Sequence, residues 1–434
     1  MHSKVNNALK WLIIGLYSIQ IASADIILVL NTEDSGVGSL RQAILDANQN
    51  SGLDDISFNI PEKLCSAEGV CQINLLSNLP EITDELVIDG TTQTQHGTAP
   101  ANVCATENSP SYMRIEILGS VDIFTMVSEA NVIIKGLSLG GNITFTTGNE
   151  NNIIINCNHI GINAQGDTNL NRSNFMCFNC NGPSGSVTTL GTNSDGIDDI
   201  AERNVISSFS GVYFNNGSNS IIAGNYFGLS ADGITTIEIP AQRRCLQARQ
   251  NFKFNRIGSN LDGINDKVER NIFGSCGEKA VEMVNFNETS NIIAGNWIGV
   301  NANGESTNQV EIGLQLDSIM FDDIYAQHQV SMNWIDVTDT AILLLQDAEL
   351  SNGSINNCIT NTPIGVDHMG SQSSVPLALN YWGDASGPSG IGTGTGAMII
   401  ESASGTVDFK PWIPEFTEDC FIDLDVIFNS GFEI

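Results

Sequence analysis

GTNSDGIDDIAERNVIS, residues 191–207, returns as GSNLDGINDKVERNIFG at residues 258–274. Asp195 matches Asp262, an offset of 262 − 195 = 67 residues. Downstream, NSIIAGNYFGLSADG from Asn219 matches NIIAGNWIGVNANG from Asn291, with Asn225 over Asn296 at 296 − 225 = 71 residues. A weaker copy, NIIINCNHIGINAQG, begins at Asn152. Offsets of this size are close to three times about 22 residues, the length of one coil of a parallel β-helix with three short strands and their turns. The runs Val132 to Leu139, Ile153 to Ile160, Ile221 to Phe227 and Ile292 to Val300 agree. Each is short, rich in β-branched residues and bounded by Gly, Asn, Asp or Ser, which suits a strand and is too short for a helix. The sequence therefore predicts an all-β chain, a single-stranded parallel β-helix (solenoid).

The recurring Gly-Asn pairs, Gly224-Asn225 and Gly295-Asn296, fall where such a coil turns a corner. Asn tolerates the left-handed conformation that a tight corner requires, and stacked Asn side chains can hydrogen-bond from coil to coil. The ends of a solenoid need covers, because an open end exposes core and unpaired strand edges. Ser39 is a plausible N-cap for a helix that puts Leu40, Ala43, Ile44 and Ala47 on one face. This helix is expected to lie as an N-terminal cap over a first coil beginning at Asp55-Ile56-Ser57-Phe58. At the far end, Lys410-Pro411-Trp412-Ile413-Pro414 interrupts strand character and supplies an apolar plug.

Residues 1–24 read as a signal peptide: Lys4 and Lys10, an apolar run from Trp11 to Ile21, and an Ala22-Ser23-Ala24 cleavage site. The expected organisation is a signal peptide (1–24), a cap segment (25–53), the β-helix (54–414) and a tail (415–434). No transmembrane segment is expected in the mature chain, which is placed outside the cytoplasm, secreted or at the cell or outer-membrane surface, as a monomer. The net charge of −32 repels phosphate backbones and anionic lipid, which excludes nucleic acid as a partner and favours divalent cations. Ten cysteines suit an oxidising compartment. Cys65/Cys71 and Cys177/Cys180 are the expected local bridges, the second within an Asn-rich loop.

NTEDSGVGSLRQAILDAN (31–48) followed by DDISFNIP (54–61) resembles the N-terminal motif of bacterial CSLREA-domain proteins. Leu86 to Gln93 is similar to an early coil of those chains, Asn380-Tyr381-Trp382-Gly383-Asp384 to a closing coil, and Ile427 to Glu433 to a C-terminal tail of exported Gram-negative proteins. The chain departs from the motif at Gly38, where the family has Cys, and at Gln42, where it has Glu. The resemblance implies an exported right-handed parallel β-helix of the pectin-lyase-like class, usually without an assigned activity.

The duplicated loop is the candidate metal site. With Gly196 at position 6 of a calcium loop of the EF-hand kind, Asn193, Asp195, the Ile197 carbonyl, Asp199 and Glu202 fall at ligand positions. The second copy offers Asn260, Asp262, the Ile264 carbonyl, Asp266 and Glu269. The alternative is ordinary Asp-Gly turn chemistry with Glu-Arg-Asn starting a short helix. No catalytic residues are assigned: Gly-x-Ser-x-Gly, Walker A and His-Glu-x-x-His are missing from the sequence. Val366-Asp367-His368 resembles a lyase calcium motif, but no matching arginine segment follows. Tyr226, Trp297, Tyr381 and Trp382 would either stack on sugars or pack at corners. The leading expectation is a surface or secreted module for adhesion or for binding polysaccharide or a cell-surface glycan, stabilised by Ca2+. The alternative is a polysaccharide-active lyase or glycoside hydrolase, marked by acids paired with Lys or Arg on neighbouring coils.

Overall fold

The computed structural model describes residues 24–126, 131–146, 152–170, 175–180, 188–208, 211–237, 244–286, 290–319, 326–403 and 405–417. The expected signal peptide, save Ala24, and the tail beyond Thr417 with Cys420 lie outside the described residues. Within them the chain is all-β, with two α-helices, Leu40–Ala47 (α1) and Asp266–Glu269 (α2), and its strand ladders are parallel.

Three sheets take up the strands. An 11-stranded sheet runs from Ile26–Val29 to Ala348–Leu350. A 19-stranded sheet holds two kinds of strand, two-residue pieces such as Tyr226–Phe227 and long ones such as Arg244–Lys253, and Ser374–Pro376 pairs separately with Thr406–Asp408. The chain visits them in fixed order. Ile221–Ala223 lies in the first sheet, Tyr226–Phe227 and Arg244–Lys253 in the second, and Arg256–Gly258 then pairs with Ile221–Ala223. We call one such passage a rung. Side chains alternate along each strand as a pleat requires: Val132 and Ile134 are buried while Ile133 and Lys135 face outward. The inward residues of successive rungs make one continuous core. Phe145, Phe175, Phe214 and Phe252 stack through it with ring centroids 5.3, 6.1 and 5.3 Å apart.

The register corrects the expected period. Thr189 pairs with Ile221 and Ile221 with Arg256, so the 256 − 189 = 67 residues span two rungs, where three were expected. The reason is in the corners. Ala223 reaches Tyr226 through a tight turn, but Gly191 reaches Val205 only after a long loop. From Ile153 to Ile298 rungs with and without this loop alternate, and the sequence repeat is the pair; the next corner, Ser331 to Trp334, is tight again.

A file of buried asparagines runs along that corner: Asn158, Asn204, Asn225, Asn271, Asn296, Asn333, Asn357 and Asn380. Each Oδ1 after the first accepts from the Nδ2 of the Asn before it, for example Asn225 to Asn271, Asn271 to Asn296 and Asn296 to Asn333, all at 3.0 Å. Most also accept the backbone N–H of the Asn before them, as Asn271 does from Asn225 at 3.1 Å. The Asn residues do not themselves take the left-handed conformation that was expected of them. At the tight corners the preceding residue does: Cys157 (φ 54), Gly224 (72), Gly295 (69), Met332 (54), Asn356 (59) and Leu379 (56). The division is physical. One residue reverses the chain, and the Asn after it satisfies corner amides that no strand can reach.

The helix reading holds. Ser39 Oγ accepts from Gln42 N at 3.2 Å, and Leu40, Ala43, Ile44 and Ala47 are buried in the core with Val29 and Ile56. One strand precedes it, however: Ile26–Val29 pairs with Asp54–Phe58, so the sheet begins before the cap and not at Asp55. At the other end Trp412 packs partly buried against the core, its ring stacked on Phe409. Disulfides join Cys65 to Cys71, as expected, and also Cys104 to Cys157 and Cys245 to Cys276. The Cys177 and Cys180 side chains lie outside the described residues, but their backbone belongs to the strand Phe175–Cys180 and not to a loop. No described helix is long and apolar enough to cross a membrane.

Asn225→Ala removes a buried bond from each of Asn204 Nδ2, Asn271 Oδ1 and the Leu190 carbonyl, leaving Asn204 Nδ2 with the Ile155 carbonyl and Asn271 Oδ1 with the backbone amide of position 225. Denaturant unfolding should show a loss of about 2–4 kcal/mol. Two buried histidines should set an acid limit. His159 donates from Nδ1 to the Asn163 carbonyl and accepts from Ser111 Oγ, and His328 Nε2 has no partner. Burial pushes both down from 6.5 to about 4. Below pH 6.5 the unfolded chain takes up protons that the folded chain refuses, so their contribution, complete above pH 6.5, is lost as pH falls towards 4. The slope of Tm against pH over that window should flatten in the His159→Gln/His328→Gln double variant.

Candidate functional site

Two loops leave the tight-corner pattern, 192–204 and 259–271, and they share most of their hydrogen bonds. Each starts at a glycine that nothing else can replace: Gly191 (φ 94) and Gly258 (φ 101) lie where an added Cβ would come within 1.9 Å of the Ala223 carbonyl oxygen and 2.0 Å of that of Ala294. The next hydroxyl, Thr192 or Ser259, donates to Asp199 or Asp266 at 2.7 or 2.8 Å. Asn193 and Asn260 accept from the amides of Asp195 and Asp262, and these in turn accept from the amides of Ile197 and Ile264 at 2.8 Å. The Asn193 and Asn260 amides donate to Glu202 and Glu269 at 3.1 and 2.9 Å. Most of the expected ligand side chains thus hold the turn itself, and Ile197 and Ile264 are exposed. The short-helix alternative needs correction: in the second copy the helix α2, Asp266–Glu269, ends at the Glu of Glu-Arg-Asn, where one was expected to start, because Arg270 is already extended. Burial raises the pKa of both Glu202 and Glu269.

The copies differ where they touch. Asn265 Nδ2 donates to Asp199 Oδ2 at 2.9 Å, so both oxygens of Asp199 are engaged. In the second loop, carboxylate atoms of Asp262, Asp266 and Glu269 lie within 4.8 Å of one another. Glu269 is wholly buried and its Oε1 has no partner.

The first loop also walls a cleft of about 390 Å³, lined by Thr91, Arg114, Lys135, Asn156, Asp198 and Glu202 among others. The opposite wall, around Ala101 to Cys104, is held in place twice. The Cys104–Cys157 bridge ties it to the corner, and Arg114 donates to the carbonyls of Gln93, Pro100 and Ala101. Lys135 pairs with Asp89 at 3.0 Å, Asn156 Nδ2 donates to Glu202 at 3.3 Å, and Asn156 Oδ1 is buried with no partner. Lys135 and Asn156 are register partners on successive rungs.

A second charged group lies on the long strands. Glu282 accepts from Arg244, Lys279 and Gln247 at 2.6, 2.8 and 2.5 Å. Burial acts to raise its pKa, but the Lys279 hydrogen bond and the Arg244 and Lys279 charges outweigh it and hold it below the usual value. On the next rung Asp317 is raised, by burial and then by the Glu282 charge, and its Oδ1 has no partner. Glu282 pairs with Gln315 and Asp317 lies two residues on, on the same face.

Neither the cleft nor the Glu282 group was signalled by spacing, because each draws on residues from different rungs with nothing regular between them. The aromatics resolve mostly to packing. Trp382 and Tyr226 are buried, and Arg203 and Arg270 lie over the rings of Tyr226 and Trp297 at 4.1 and 4.3 Å. Asp367 and His368 are buried on the long-strand face. In comparisons with protein-family models, curated proteins and solved structures, nothing matches the chain.

Proposed function

We propose that the chain is an exported right-handed parallel β-helix of the CSLREA-domain kind, a surface or secreted module that binds a glycan in the cleft beside the first acidic loop. The fixed order in which the chain visits its sheets, the continuous core and the capping helix support the solenoid. The three disulfides described above are compatible with an extracellular site. The observation that carries the binding reading is the cleft. Its volume of about 390 Å³ suits a small saccharide unit. It sets Lys135, Asn156, Asp198 and Glu202 side by side, a mixture of donors and acceptors suited to hydroxyl groups. The overall charge of −32 disfavours a polyanionic chain. Titration calorimetry against a panel of neutral and acidic oligosaccharides should detect a neutral ligand, bound at least about tenfold more weakly by Lys135→Ala and by Asn156→Ala, or about 1.4 kcal/mol. Binding that ignores both substitutions would place the ligand elsewhere.

One observation favours the second reading, a polysaccharide-active enzyme. Glu282 and Asp317, with pKa values pushed apart, meet the requirement for an acid and a base. With neighbouring strands about 4.8 Å apart and a rise of about 3.3 Å per residue, this offset sets the two backbones roughly 8 Å apart, from which the carboxyls could reach the spacing that inverting hydrolysis needs. Basic side chains on neighbouring rungs complete the group. New reducing ends or unsaturated products from the same panel, lost in Asp317→Asn, would make this the primary function. A panel without product leaves the binding module.

A further inference from the structure

We infer that the second acidic loop binds one calcium ion through Asp262, Asp266 and Glu269, and that the first loop, its near copy, binds none. The site is independent of the glycan cleft and has a narrower ligand set than loop spacing alone implies.

The difference between two loops of the same backbone carries the inference. Ser194 and Leu261 share φ values of 64 and 59, and Asp198 and Asn265 share a φ of 57. Only the second loop gathers three carboxylates within 4.8 Å. Among them Glu269 is 0 % exposed. Its Oε2 is occupied, by the Asn260 amide at 2.9 Å and with Arg256 at 3.8 Å, while Oε1 has no partner. A buried carboxylate oxygen left bare is costly, and a cation is what would offset it. In the first loop the corresponding oxygen, Glu202 Oε1, accepts from Asn156 Nδ2 at 3.3 Å, and Asp199, the counterpart of Asp266, is served from outside its loop as well. Asn265 of the second loop reaches across to Asp199 Oδ2, so a neutral amide stands there. Asp266 receives only the Ser259 hydroxyl and the Gly263 amide of its own loop. Calcium suits the second loop because it accepts irregular oxygen shells, and Asp262 is exposed, so that water would complete that side of the shell.

The test uses the full chain, freed of metal, titrated with CaCl2 by calorimetry and followed by thermal unfolding. One ion per chain is expected, with a rise in Tm. Asp262→Asn/Asp266→Asn should weaken binding by at least about tenfold and abolish the Tm rise, since Asn keeps the turn's oxygen acceptor but not the charge. Glu269→Gln, the smallest change inside the cluster, should do the same and serves if the double variant folds poorly. Asp195→Asn/Asp199→Asn should bind as the parent does. No heat and no Tm change with millimolar CaCl2, two ions per chain, or an ion lost in the first-loop variant would each overturn the assignment.

Discussion

Every rung of this fold must turn a corner between two sheets, and at that corner the backbone has N–H and C=O groups that no strand can pair. A buried amide left so costs about 1–3 kcal/mol, and the corner recurs rung after rung. The asparagine file answers the constraint. One carboxamide accepts a side-chain N–H, and mostly a main-chain N–H, from the rung before, and donates to that rung's carbonyls, as Asn296 does in accepting from Asn271 and donating to the Ile257 carbonyl. Serine, with one short hydroxyl, cannot do both. The stacked strands depend on this file because it keeps the corners in register while the outer loops vary.

Freed from that task, the loops diverge. Where the chain goes directly from Ala223 to Tyr226 the corner is two residues, Gly224 for the turn and Asn225 for the ladder, and where it leaves from Gly191 or Gly258 it carries an acidic excursion and still returns to a ladder position, Asn204 or Asn271. The two excursions alternate with tight-cornered rungs, and Asn265 of the second reaches across to Asp199 of the first. The same alternation leaves the first loop facing the wall held by Cys104–Cys157, and so makes the cleft. Candidate cation site and candidate ligand cleft are thus two consequences of one insertion pattern on a corner whose own polar groups are already satisfied.

Much of the architecture was legible in the sequence. Ser39 with its apolar face named the helix to the residue, and the β-branched runs named the strands. The Gly-Asn repeats pointed to the ladder. The period misled because a long and a short rung together imitate three uniform ones, and only pairings such as Thr189 with Ile221 separate the cases. Ile26–Val29 was missed because it is too short and too exposed to alternate clearly. At the candidate sites, the acidic residues stood out by duplication, but their unequal environments did not, since the inequality comes from Asn265 crossing between loops. Lys135, Asn156, Glu282 and Asp317 carried no signal at all, for each acquires its neighbours only when rungs stack.

Hydrogen exchange of individual backbone amides tests the ladder most directly. The amides of Asn158, Asn225, Asn271, Asn296, Asn333 and Asn357 donate to side-chain oxygens of the following rung. They should be protected as strongly as the strand amides beside them, with the file exchanging as one unit. Corner amides that exchange as fast as open turns, while the strands stay protected, would contradict the account.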